Sequence, residues 1–166
     1  MAALTLKKMK DIKRDIYLYD TYQGMTKPTD NDVDIHGEKA SVTWENLKEG
    51  EYSSWTKAGL DEVKKNMSLT KYPKEKLIYV VGKVEDTIPK TMPKKIAMLR
   101  LDTDWYESTK HELECLFPLI VPKGVLIIDD YGHFTGSKKA VDEYFRENHP
   151  DVYLHRADYS SRVVIK

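Results

Sequence analysis

The stretch KIAMLRLDTDWYEST, residues 95–109, runs an apolar segment straight into Asp102 and Asp104, and a second such event, GVLIIDDYG at 124–132, ends on Asp129 and Asp130. Both segments are apolar throughout rather than alternating, the pattern of strands covered on both faces. Between them, STKHELECLFPLI places Leu113, Leu116, Phe117 and Ile120 on one helical face, with Ser108 or Thr109 as cap and Pro118 as terminator. Strand, helix and strand within 27 residues make one βαβ step, so the two acid-bearing strand ends are expected to be neighbours.

Working outward, DIYLYD (15–20) and KLIYVVG (76–82) read as further strands, as do DVYLHRA (151–157) and SRVVIK (161–166). The last two are separated only by DYSS, which predicts an antiparallel hairpin at one edge. Helices are expected within 55–68, with Leu60, Val63 and Met67 inward, and over SKKAVDEYFREN behind a Ser137 cap. Residues 21–54 are polar and rich in turn formers, the signature of a lid or a disordered segment. The reading is one α/β domain over 1–166 with a largely parallel sheet.

The 166 residues suffice for one core. Twenty-seven basic residues balance 27 acidic ones, so no global field recommends a nucleic-acid or membrane partner. Cys115 stands alone, which excludes an intrachain disulfide and fits a reducing compartment. No window approaches the roughly 18 consecutive apolar residues of a membrane span, so a cytoplasmic protein is expected. The five histidines show no metal-ligand spacing, and only His133, just after DDYG, is placed to reach a ligand.

In an open parallel sheet, ligands sit beyond the carboxyl ends of the strands. There the sequence gathers Asp20, Asp102, Asp104, Asp129 and Asp130. Clustered carboxylates raise one another's pKa unless a cation or proton offsets them. Mg²⁺ prefers such oxygens and keeps waters that substrate hydroxyls can replace. Asp104 or Asp130 taken singly reads equally well as a turn or cap residue. Asp20 suits ribose hydroxyls or a plain turn.

Taken together, RDIYLYDTYQGM, VVGKVEDTIP, LRLDTDWYEST and GVLIIDDYGHFTGSKKAVDEYF resemble, in order and spacing, the macrocin-type O-methyltransferases. These enzymes use S-adenosylmethionine to methylate sugar hydroxyls on small natural products. The resemblance implies a Rossmann-like methyltransferase fold, a seven-stranded sheet and a Mg²⁺ site held by Asp102, Asp129 and Asp130. It makes Asp102 or Asp104 the general base, gives Asp20 the donor ribose, and puts Gly82, Lys83 and Val84 near the adenine. Segment 21–54 would cover a sugar or glycan acceptor, with Trp44 and Tyr22 stacking on a ring.

The family's first strand and its glycine-rich donor turn have no counterpart here, so the chain reads as a member truncated at its N-terminus. That strand would lie between the ones ending at Asp20 and Asp102. Its absence predicts a gap or a direct pairing there, a homo-oligomer or rearranged sheet, and weak or absent donor binding. Competing readings are a catalytically degenerate metal-binding domain, a DxD phosphatase of the haloacid-dehalogenase type, and a DxD glycosyltransferase.

Overall fold

The computed structural model describes residues 1–166. In chain order the elements are α1 (Ala2–Lys8), β1 (Ile16–Asp20), α2 (Ala40–Asn46), β2 (Lys48–Glu49), β3 (Tyr52–Ser53), α3 (Leu60–Leu69), β4 (Leu77–Val81), α4 (Val84–Thr87), β5 (Ile96–Leu101), α5 (Tyr106–Leu116), β6 (Ile120–Ile128), α6 (Thr135–Asn148), β7 (His155–Arg156) and β8 (Arg162–Ile165). No helix is long and apolar enough to cross a membrane.

The sheet comes in two parts. β1 pairs β4 in parallel, and β5, β6, β8 and β7 follow in that order, with β5 parallel to β6 and the last two pairings antiparallel. The expected C-terminal hairpin is present, although 151–157 yields a strand only at His155–Arg156. β1 and β5 share no ladder, so of the two expected outcomes the structure has the gap. This corrects the reading of β5 as covered on both faces: Ala97, Met98 and Arg100 are exposed, Met98 by 53%, because nothing pairs with that edge. β6, flanked on both sides, buries Leu126 and Ile128 as its composition predicts.

One core joins α4, α5 and α6 to the larger sheet through Ile88, Leu101, Leu113, Phe117, Leu126 and Val141. Phe117 meets Phe145 edge to face at 5.1 Å, which locks α5 against α6. α3 shows its expected stripe, with Leu60, Val63 and Met67 only half-buried.

The helix starts differ from expectation for one physical reason. α5 begins at Tyr106, ahead of Ser108 and Thr109, because its cap is a distant carboxylate: Tyr106 N–H donates to Asp32 Oδ1 at 2.8 Å. α6 begins at Thr135, ahead of Ser137, and is anchored by Thr135 N–H to the Val33 carbonyl at 2.8 Å. Segment 21–54 is therefore neither loose nor structureless. It carries α2 and the β2–β3 hairpin, and its Ala40 and Met25 join Trp105, Phe134 and Trp55 in a small second core.

Candidate acidic cleft at the strand ends

Register builds the site. Leu101 pairs with Ile128, and Asp129 N–H donates to the Leu101 carbonyl at 3.0 Å, so Asp102 and Asp129 leave their strands side by side. On the other part of the sheet Asp20 pairs with Val81, and Gly82 N–H donates to the Asp20 carbonyl at 3.0 Å. The two strand ends open onto one cleft of about 120 Å³, lined among others by Asp20, Gly82, Lys83, Val84, Asp102 and Asp104. Gly82 has φ +134°, and a Cβ there would stand 2.9 Å from Thr87 Cγ2, so the turn leaving β4 needs glycine. Val84 contributes to the cleft wall while its side chain is buried in the main core. Asp20 Oδ1 accepts from Tyr22 N–H at 2.7 Å, which fixes the carboxylate at the cleft mouth.

Oxygens of Asp102, Asp104 and Asp130 lie within 4.8 Å of one another. Asp129 turns aside: its Oδ2 accepts from Arg100 Nη2 at 2.9 Å, while Arg100 Nη1 donates to Asp102 Oδ2 at 2.6 Å. Burial is the main force on the acids. It raises the Asp104 carboxyl far above the carboxylate range, helped by a hydrogen bond with Asp130 and by the surrounding negative charges. Burial also raises Asp102, with a further upward push from Asp129 against the pull of Arg100, and it raises Asp130. An all-oxygen cluster that would rather hold protons than remain charged is the donor chemistry a hard divalent cation satisfies, and the spacing fits one ion after small side-chain rotations.

Several residues that sequence reasoning passed over support this cleft. Arg100 stands two positions before Asp102, on the same strand face, and that spacing was a legible signal. Glu112 is 5% exposed on the inward face of α5, accepts from Thr103 Oγ1 at 2.8 Å, and is pushed by burial up to about 8. A glutamate between Thr109 and Leu116 on an apolar helix face was also legible. Asp32, wholly buried, lies among turn formers and gave no signal. Two expectations are corrected: Trp44 is 2% and Tyr22 6% exposed, each bonded to backbone carbonyls, so both serve packing and neither offers a ring face to a sugar. His133 packs edge-on to Phe134 at 4.6 Å, with Nδ1 buried and unpartnered.

The macrocin-O-methyltransferase (TylF) family description matches residues 1–163. The chain belongs to that family. It is 30% identical over 143 residues to the mycinamicin III 3''-O-methyltransferase of Micromonospora griseorubida, covering 86% of this chain and 53% of that enzyme. It is 28% identical over 139 residues to the 8-demethyl-8-(2,3-dimethoxy-alpha-L-rhamnosyl)-tetracenomycin-C 4'-O-methyltransferase of Streptomyces olivaceus, covering 84% and 50%. The chain thus spans about half the length of the curated relatives it matches. Among solved structures it superposes on the O-methyltransferase NovP with TM-score 0.79 at 25% identity, over 99% of this chain and 66% of that one. The calicheamicin methyltransferase CalS11 follows at TM-score 0.68 and 17% identity, over 98% and 65%, a likeness of fold. This macrocin-O-methyltransferase family member therefore has the Rossmann-like methyltransferase fold, with its acids at the sheet edge where that fold takes ligands.

Proposed function

We propose that the protein is a Mg²⁺-assisted O-methyltransferase that moves a methyl group from S-adenosylmethionine to a sugar hydroxyl of a small molecule or glycan. The observation that carries this is the shared cleft: the acids fit to activate a hydroxyl, Asp102 and Asp104, line the same wall space as Asp20 and Gly82–Val84. Asp102 and Asp130 hold the metal, Asp129 joins them when it lets go of Arg100, and Asp104 is the general base. Supporting that division, Asp104 lines the cleft, hydrogen-bonds Asp130 and is raised by burial far above the carboxylate range. Asp102 and Asp129 already share one cation, the Arg100 guanidinium. Mg²⁺, when bound, would offset the clustered charge, so that Asp104 gives up its own proton and can act as a base, and would make an acceptor hydroxyl easier to deprotonate.

The reaction is a displacement. The acceptor O–H gives its proton to Asp104, its oxygen forms a bond to the methyl carbon, and the carbon–sulfur bond breaks with its electron pair going to sulfur. Sulfur leaves as a neutral thioether, so the protein supplies alignment and a base and needs no covalent intermediate. Asp20 orients the donor ribose, and Gly82, Lys83 and Val84 flank its adenine. The open edges of β1 and β5 favour a homo-oligomer.

A cleft of about 120 Å³ is small beside the roughly 300–1,000 Å³ of ordinary ligand sites, so donor binding by this chain is expected to be weak. Titration calorimetry with S-adenosylmethionine should show no micromolar binding to the 166-residue chain. At millimolar ligand, S-adenosylhomocysteine should raise the unfolding midpoint and a UDP-sugar should not. Protection by the UDP-sugar alone would replace the methyltransferase reading with a glycosyltransferase one, and Mg²⁺ protection with neither nucleotide would favour a degenerate metal-binding domain.

A further inference from the structure

The tightest turn in the cleft is the one that presents Asp104. Trp105 N–H donates to the Thr103 carbonyl at 2.7 Å, two residues back, and Asp104 between them has φ +67°. A hydrogen-bonded turn of this kind at positive φ is rare and strained, and an aspartate there lacks glycine's freedom. Such a conformation persists only when its surroundings over-determine it.

The surroundings do so from both flanks. Before Asp104, Thr103 Oγ1 donates to Glu112 Oε2 at 2.8 Å. After it, the Trp105 indole donates to the Thr26 carbonyl at 3.0 Å, and Tyr106 N–H donates to Asp32 Oδ1 at 2.8 Å. Asp32 is itself held, its Oδ2 accepting from the Thr29 N–H at 2.7 Å and the Thr29 hydroxyl at 2.9 Å. It is also crowded, since a Cβ on Gly136 would fall 2.0 Å from its Oδ1. Burying a carboxylate is costly unless it is hydrogen-bonded, yet two are buried here, one on either side of a single residue.

We infer that Glu112 and Asp32 are positioning residues for Asp104: Glu112 grips the hydroxyl of the residue before the base, Asp32 the backbone N–H two residues after it, and together they hold the base in its strained turn, near Asp102 and Asp130. The inference rests on the reading of Asp104 as base. Asp32 belongs to segment 21–54, so that segment is tied directly to the turn that carries the base.

Amide hydrogen exchange on the full chain tests this through the Trp105 amide, whose only carbonyl partner is across the turn. In Glu112→Leu and in Thr103→Val that amide should exchange at least tenfold faster than in wild type. In Glu112→Gln, which keeps an acceptor for Thr103, it should match wild type. The Leu126 amide in the sheet centre should be unchanged in all three. Unchanged exchange at Trp105 in Glu112→Leu, or an equal acceleration at Leu126, overturns the inference, the latter by showing a general scaffold role. Should Glu112→Leu fail to fold, Thr103→Val reads the same hydrogen bond from its other end. Mn²⁺ binding by electron paramagnetic resonance gives a second readout: at least fivefold weaker in Glu112→Leu, retained in Glu112→Gln, with an unchanged affinity in Glu112→Leu counting against the proposal. If wild type binds no Mn²⁺, the metal reading falls while the exchange data still decide the positioning.

Discussion

Arg100 bridges two of the acids. Its guanidinium reaches Asp102 at 2.6 Å and Asp129 at 2.9 Å from a side chain 51% exposed, so it stands in for a cation at the rim of the cleft. Replacing it leaves two adjacent carboxylates without compensation. Arg100→Met should therefore lower the thermal midpoint in metal-free buffer, and Mg²⁺ should raise the variant's midpoint more than the wild type's. Equal Mg²⁺ shifts in the two proteins would mean that Arg100 and the ion do not share a site. At this scale the sequence was legible where spacing carries information. Asp102 and Asp129 lie one βαβ step apart and Arg100 sits two residues upstream on the same strand face, whereas Asp32 finds Tyr106 across 74 positions through no pattern at all.

At the scale of elements, the βαβ step from β5 through α5 to β6 formed as its apolar periods demand, and Pro118 ended the helix through a short 3₁₀ turn at Phe117–Leu119. What period could not report is pairing. β5 reads as a central strand by composition, yet its free edge leaves Met98 53% exposed, and β1 faces it without a ladder. Unpaired edges recruit other strands. Light scattering should find oligomers of wild type at tens of micromolar, and Met98→Lys should shift them toward monomer, because a charged side chain on an edge strand opposes pairing. A wild-type chain that stays monomeric would show the gap to be closed to partners. Helix starts were misplaced for a related reason: the caps of α5 and α6 come from segment 21–54, far away in sequence, and override Ser108 and Ser137.

For the whole molecule, the buried acids set a pH dependence of stability. Glu112 is raised by burial from 4.5 to about 8, so between those values the folded state keeps a proton that the unfolded state has lost. Its contribution is full below the unfolded value and disappears as pH rises through the folded one. Asp102 and Asp104, also raised, act in the same direction. Urea midpoints should fall from pH 5 to pH 8, Glu112→Gln should flatten part of that slope, and saturating Mg²⁺ should flatten more of it. A midpoint rising over this range would contradict the buried, neutral state of these acids. By itself the sequence determined the α/β alternation, the placing of five acids at strand ends and the family, because each depends on local period and spacing along the chain. The tertiary structure decided which acids converge, that Trp44 and Tyr22 are packing residues, that β5 keeps an open edge, and that Asp32 and Glu112 brace Asp104. Those outcomes depend on contacts between residues distant in sequence, and burial, capping and charge pairing are properties of the assembled space between elements.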